Sequence, residues 1–266
     1  MSLLEIENLC VTADRGARPI VSEVSLRVEN GECLGLVGES GSGKSTVCRA
    51  VLGILAPSLH ASGRILLRGE DLPRLPARRM QQIRGKELYM ILQDAMSAFH
   101  PGYTMGRQIR TILTSHMELP GDDDTQILEA LLKMQLRNPE EILRKYPHQL
   151  SGGMLQRVMI AIGLMLRPQI ILADEPTTAL DSVTQREIIS QMTDLRRTEG
   201  LTMIFVSHDL GVVRHIADRV AVMKDGRVVE TGAAEAVFSD PQHDYTRYLV
   251  ESRRMLSSTF REAMNE

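Results

Sequence analysis

The sequence has no tryptophan, only four phenylalanines and five tyrosines, and none of these rings precedes Tyr89. Aromatic stacking is therefore a scarce means of recognition here. There are three cysteines, Cys10, Cys33 and Cys48, and no Cys-x-x-Cys pair. An odd, scattered set of this kind reads as buried, reduced thiols of a cytosolic protein rather than a disulfide framework. Basic charge is not in excess: the net charge is −3, which argues against a nucleic-acid partner, since such partners select a basic face. Long apolar runs are also missing. The most apolar stretch, Val158 to Leu166, is well short of a membrane span. Met1 to Leu9 is too short for a secretory signal and is interrupted by Glu5 and Glu7. If the protein works at a membrane, other subunits carry the spans. At 43% hydrophobic and 24% charged residues, the chain has the balance of an ordinary globular protein of one or two domains.

What is present centres on Gly38-Glu39-Ser40-Gly41-Ser42-Gly43-Lys44-Ser45. A glycine, four residues, then Gly-Lys-Ser is the spacing of a phosphate-binding loop. The preceding Cys33 to Val37 is short and apolar and reads as a buried strand. The following Thr46 to Leu55 carries apolar residues at helical spacing. Loop amides and a helix start both present N–H groups to an anion. Lys44 would bridge the β- and γ-phosphates, and the Ser45 hydroxyl would ligate Mg²⁺.

Along the chain, residues 3–9 and 24–28 read as strands flanking a polar loop, Thr12 to Pro19. Further strands are expected at Ile65–Leu67 and Leu88–Leu92. Pro73 and Pro76, among arginines, mark a surface connection. Residues 94–150 change to helical patterns: Met105–Leu113, Thr125–Met134 and Glu140–Lys145. Asp124, after Gly121-Asp122-Asp123, is placed to cap a helix. The core pattern resumes with a strand at Ile170–Ala173, an amphipathic helix at Val183–Thr198 and a strand at Thr202–Val206. A hairpin then turns about Lys224-Asp225-Gly226. Strands alternating with helices imply a mostly parallel, buried sheet.

Asp174 closes an apolar strand, where ligands bind in open α/β sheets. Its carboxylate can hold Mg²⁺, directly or through water. Glu175 faces elsewhere and can polarise a water for attack on the γ-phosphate. Leu150-Ser151-Gly152-Gly153-Met154 precedes the apolar helix Leu155–Leu166. Ser151 is a natural helix cap, and the two glycines expose bare N–H groups, a second anion site. His208 follows the apolar strand Thr202–Val206.

The order Gly38–Ser45, Gln93, Leu150–Gly153, Ile170–Glu175, Ala179-Leu180-Asp181, His208 resembles the ATP-binding-cassette (ABC) ATPases over nearly the whole chain. The resemblance implies an α/β phosphate-loop NTPase core with an inserted helical subdomain and an N-terminal antiparallel β portion. It implies one cassette, with core at about 1–93 and 168–232, helical subdomain at about 94–167 and a C-terminal extension at about 233–266. It implies ATP and Mg²⁺, and two cassettes stacked head to tail. Gly38, Glu39, Ser40, Gly41, Ser42, Gly43, Lys44, Ser45 and Thr46 of one cassette would bind the triphosphate. Ser151, Gly152 and Gly153 of the other would cap the γ-phosphate. Gln93 would touch Mg²⁺ and the attacking water, Asp174 would hold Mg²⁺ and Glu175 would be the general base. His208 would contact the γ-phosphate, and Asp181 would link the two sites.

Within the family, Leu36–Ser45, Tyr146-Pro147-His148, Met154–Ala161 and Pro241-Gln242-His243-Asp244-Tyr245-Thr246 resemble the peptide/nickel importer branch. Ser97-Ala98-Phe99-His100-Pro101 is similar to the segment that branch uses at its permease. His100 stands where the branch has Asn, and Gln149 where it has Glu. No aromatic residue stands near Ala13, where the family stacks adenine. The lack of cysteine after Cys48 and the end at Glu266 are most similar to the nickel-transporting subunits. The expected protein is an ATP-hydrolysing motor of a bacterial importer of nickel or a metal chelate. It would lie peripherally on the cytoplasmic face of the inner membrane. Its expected partners are two permease subunits, a second, different cassette ATPase and, indirectly, a substrate-binding protein. The alternatives are an oligopeptide importer and an accessory cassette of a phosphonate-degrading complex.

Overall fold

The computed structural model describes residues 2–13, 19–118, 124–178 and 180–252. Most of the loop expected at Thr12 to Pro19, the Gly121–Asp123 turn, Ala179 and the tail from 253 lie outside the described residues. The chain forms two compact units, residues 1–75 with 202–266, and residues 76–201.

The first unit opens with a sheet. Strand β1 (Ser2–Ala13) pairs antiparallel with β2 (Val21–Glu29). Its core side is Leu4, Ile6, Leu9 and Val11, all buried, and bulges shift the register between Ile6 and Leu9. Strand β3 (Cys33–Val37) is buried at every position and leads to helix α1 (Lys44–Leu52). Strand β4 (Leu59–Leu67) pairs antiparallel with β1, and β5 (Glu70–Asp71) with β4, giving the order β2-β1-β4-β5. The sequence predicted only Ile65–Leu67 of β4. His60 to Arg64 is exposed throughout, so no apolar alternation announces it. Its pairing with β1, from Ala13↔Leu59 to Glu7↔Arg64, makes it a strand.

The second unit begins at Pro76. The surface connection expected at Pro73 and Pro76 is present, both prolines being exposed. It carries elements that the sequence did not announce: a short 3₁₀ turn, Leu72–Arg74, followed by helix α2 (Ala77–Ile83). Proline at the cap needs no backbone N–H there, and Met80 and Ile83 supply the buried face. Strand β6 (Leu88–Ile91) precedes helices α3 (Ala95–Ala98), α4 (Met105–Thr114), α5 (Thr125–Lys133), α6 (Pro139–Arg144) and α7 (Gly152–Leu166). Strand β7 (Ile170–Asp174) lies parallel to β6, with Ile91 opposite Ala173, and helix α8 (Ser182–Glu199) follows. Helix α7 buries Leu155, Val158, Met159, Ile160, Ala161 and Ile162, each large aliphatic contributing about 1.5–3 kcal/mol. Asp124 occupies the cap position of α5 but makes no side-chain cap bond. Its carboxylate is taken by the Arg110 guanidinium instead, in a two-pronged, charge-assisted pair.

The chain then returns to the first unit with β8 (Thr202–Val206), α9 (Leu210–Ile216), β9 (Arg219–Lys224), β10 (Arg227–Ala233) and α10 (Ala234–Ser239). Residues 244–252 are helical. β3 is flanked by β8 and β9, both parallel to it, and β10 closes the hairpin, in the order β10-β9-β3-β8. Cys33 and Cys48 are buried free thiols and Cys10 is half-buried.

Candidate functional site

In the first unit, β3 delivers residues 38–43 to the sheet edge. Gly38 has φ +148°, and a Cβ there would lie 2.1 Å from the Met223 carbonyl oxygen, so only glycine fits. Gly43 stands at the cap of α1 and offers no side-chain oxygen to it. Lys44 is 4% exposed. Its Nζ donates to the carbonyls of Gly38 (2.9 Å) and Glu39 (2.7 Å) and to Ser42 Oγ (3.2 Å), which is how a buried ammonium is compensated. The loop is tied down by Ser42 N–H to Glu39 O (3.2 Å) and Gly226 N–H to Ser42 O (3.2 Å). Ser45 and Thr46 sit half-buried on the first turn of α1. The loop thus forms a cradle whose cation is held on its own oxygens. His208 leaves β8 at the same edge: Ser207 N–H donates to Leu36 O, and the imidazole is exposed.

In the second unit, β6 and β7 run in register, so Gln93 and Glu175 each stand two residues beyond the Ile91–Ala173 pair. Gln93 Nε2 donates to Glu175 Oε2 at 3.2 Å. The same oxygen accepts from Thr178 Oγ1 at 3.0 Å. Glu175 has φ +48°, a left-handed conformation rare for a residue with a side chain. Strain of this kind gathers at sites of chemistry. Asp174 is 1% exposed at the strand end. The segment before Gln93 is gripped by α7. Leu92 N–H donates to Met159 Sδ (3.2 Å), Gln156 Nε2 donates to Leu92 O (3.0 Å), and Tyr89 donates to Met159 O (2.8 Å). Burial pushes the Tyr89 phenol far up, so it stays a donor.

The helix cap expected at Ser151 is present, its Oγ accepting from Met154 N–H at 3.2 Å. Ser151 and Gly152 are exposed, and a Cβ on Gly152 would meet nothing within 4 Å. Asp181 caps α8, accepting from Val183 (3.1 Å) and Thr184 (3.0 Å) N–H groups. The Thr184 bond foremost holds its carboxyl below the usual range. At the segment resembling a permease contact, Gln108 bonds His100 N–H and His100 O, and the rings of His100 and Tyr103 lie 4.8 Å apart. At the other departure from the branch, Gln149 Oε1 accepts from Tyr146 N–H (2.8 Å).

Three contributors have no role that the sequence assigns. Thr178 carries no sequence signal, and Tyr245 stands only within the tail pattern Pro241–Thr246, yet its hydroxyl accepts from Glu39 N–H of the loop at 3.0 Å. Gln156 could have been found: it is a glutamine on the apolar face of a helix, 1% exposed.

A phosphate cradle after a parallel strand, a strand-end carboxylate pair and a capped Ser-Gly-Gly helix are the parts of a nucleotide-hydrolysing cassette. The family model described as ABC transporter matches residues 21–178, and the chain belongs to that family. It is 39% identical to the metal-staphylopine import system ATP-binding protein CntD of Staphylococcus aureus over 99% of this chain and 98% of that one. It is 40% identical to the oligopeptide transport ATP-binding protein OppD of Bacillus subtilis, over 98% of this chain and 75% of that one. Among solved structures it is similar to the dimeric post-hydrolysis state of the ATP-binding cassette MJ0796 bound to ADP and Pi. That likeness has TM-score 0.77 at 28% identity, over 87% of this chain and 98% of that one. The protein is the ATP-binding motor of an ABC importer of the peptide/metal-chelate branch, and hydrolyses ATP coupled to transport. Among the described residues, no helix is long and apolar enough to cross a membrane.

Proposed function

We propose that this chain drives import of nickel or another metal chelate. The observation that carries the reading is the end-to-end match to a metal-staphylopine import subunit, 98% of whose length the chain covers. The rival cargo is an oligopeptide, favoured by the match to OppD; an accessory role in a phosphonate-degrading complex is the third reading. In all three the chain is one cassette, core at about 1–93 and 168–232, helical subdomain at about 94–167, extension at about 233–266. It pairs with a second, different cassette against two permease subunits on the cytoplasmic face of the membrane, fed by a substrate-binding protein.

The site residues take these roles. Gly38 to Thr46 form the triphosphate cradle, with Lys44 turning from its carbonyls to the β- and γ-phosphates. Ser151, Gly152 and Gly153 of the opposite cassette cap the γ-phosphate; a Cβ on Gly152 would meet nothing within 4 Å among the described residues, which supports a close visitor. Glu175, oriented by Gln93 and Thr178, takes a proton from water as its oxygen bonds to the γ-phosphorus. The bond from that phosphorus to the bridging oxygen breaks, leaving ADP and phosphate. His208 steadies the γ-phosphate, and Asp181 joins the paired sites. Ser45, Gln93 and Asp174 offer only hard oxygen donors, and no three His, Cys, Asp or Glu side chains form a cage among the described residues. That set fits Mg²⁺, which takes one or two carboxylates plus substrate phosphates. When bound it would neutralise developing phosphate charge.

The test deletes the gene and measures uptake of labelled nickel, free and chelated, beside di- and tripeptide uptake and growth on a phosphonate. Loss of metal uptake alone supports the reading. Loss of peptide uptake with normal metal uptake moves the protein to the first rival; loss of phosphonate growth alone moves it to the second. A Lys44→Ala copy should restore none of these.

A further inference from the structure

The first corner of the phosphate-binding loop is held from both sides. The Glu39 carbonyl accepts from Lys44 Nζ at 2.7 Å, and the Glu39 N–H donates to the Tyr245 hydroxyl at 3.0 Å. These two supports differ in permanence. An ammonium has three donors, and here they go to Gly38 O, Glu39 O and Ser42 Oγ. Lys44 must give up some of these to reach a phosphate. The bond to Tyr245 does not involve Lys44 and makes no such demand.

Tyr245 is itself firmly mounted. It is 6% exposed, and Lys224 Nζ lies 4.8 Å from its ring centroid. The surrounding segment is knotted by its own bonds. His243 Nδ1 accepts from Tyr245 N–H (3.1 Å), and the Glu230 carboxylate accepts from Gln242 (2.8 Å) and His243 (3.0 Å) N–H groups. Arg247 donates to the carbonyls of Pro241 (3.1 Å) and Gln242 (2.8 Å). Burial foremost pushes the Tyr245 phenol upward, so the hydroxyl keeps its proton at neutral pH.

We propose that Tyr245 is a positioning residue for ATP binding: its hydroxyl fixes the Glu39 corner of the loop, and residues 241–247 are its mount. The proposal rests on the reading of Gly38 to Thr46 as the triphosphate site. A strand and a helix alone leave this corner free to sag once Lys44 turns away; the C-terminal hook prevents that.

The test uses the full chain with Tyr245→Phe, which removes one oxygen and keeps the ring under Lys224. ATP binding with Mg²⁺ is measured at equilibrium, steady-state hydrolysis in the assembled importer, and Tm on the free chain. Kd and KM for ATP should each rise about 3- to 10-fold, the effect of one hydrogen bond, with kcat within about twofold of wild type. A hydroxyl that merely braces the fold would lower Tm and leave Kd and KM unmoved. Kd and KM within about 1.5-fold of wild type therefore overturn the proposal whatever Tm does, and so does a loss carried by kcat alone. Lys44→Ala is the companion. If it binds ATP like wild type, the reading of the loop fails and takes this proposal with it. If it loses ATP while Tyr245→Phe binds normally, only the proposal fails.

Discussion

The phosphate-binding loop and the signature segment are both glycine-rich helix starts, yet they are finished in opposite ways. In the loop, Ser42 and Lys44 are buried at 5% and 4% exposure, and the cation is bonded to the loop's own oxygens. At Ser151–Gly153 the cap is made, but a Cβ on Gly152 would meet nothing within 4 Å among the described residues. The loop's glycine at 38 is demanded by this chain's own backbone; the glycine at 152 is not. A residue that its own fold does not need points to a need outside the chain. On the function proposed above, the first region is the part of the nucleotide site that this chain builds for itself, and the second is the part it lends to the opposite cassette.

The largest effect that can test this belongs to Glu175. With Gln93 and Thr178 aimed at its Oε2, Glu175→Gln keeps the shape and removes the base. Turnover should fall by roughly 10²-fold or more, in the range of general-base removal, with ATP binding kept, since the cradle is in the other unit. Hydrolysis within about threefold of wild type, under 1 kcal/mol of transition-state effect, would remove the base assignment.

The glycine pair sharpens the contrast directly. Gly38→Ala puts a Cβ 2.1 Å from Met223 O at φ +148° and should cost about 2–4 kcal/mol of stability, read by chemical denaturation. Gly152→Ala should leave stability unchanged or raised by up to about 1 kcal/mol, because alanine outdoes glycine in a helix. Its hydrolysis in the assembled importer should nevertheless fall about tenfold or more. An unaffected rate would mean that nothing approaches Gly152, and the second region would lose its reading as half a site.

These two regions also mark what the sequence could and could not say. The loop, strand β3 and helix α1 were legible because spacing, apolarity and glycine placement are all local. So were the Ser151 cap and the strand before Asp174. Strand β4 was not, because its exposed half exists only through pairing with β1. Tyr245 and Thr178 were not, since each acts by one hydrogen bond, and the Tyr245 bond spans 206 positions of sequence. Asp124 misled because the capping rule is local, whereas its partner Arg110 lies fourteen residues away.

Base recognition tests whether the loop carries the affinity. No aromatic ring stands near Ala13, and an aromatic stack is worth about 0.5–1.5 kcal/mol. If the triphosphate cradle dominates, ATP and GTP should bind the isolated chain within roughly tenfold of each other, about 1.4 kcal/mol. A preference for ATP of about a hundredfold at equilibrium would show that other side chains read adenine, and that affinity is not the loop's alone.

The smallest expected effect separates the two duties given to Asp181. As a cap it serves its own chain; as a link it would serve the partner. Its carboxyl is held below the usual aspartate range, mainly by the Thr184 N–H. A folded-state pKa lowered in this way gives stability that is full above the unfolded value and is lost as pH falls through the folded one. Asp181→Ala should therefore show a slightly lower Tm than wild type at pH 7, and the gap should close as the pH drops below about 4. Asp181→Asn keeps an oxygen that caps almost as well, so its Tm at pH 7 should match wild type. Hydrolysis in the assembled importer then isolates the second duty. If the Asn variant loses cooperativity in ATP, the charge acts across to the partner cassette. If its rate and ATP dependence match wild type, Asp181 is a helix cap only, and the outward-facing role of the second unit contracts to Ser151, Gly152 and Gly153.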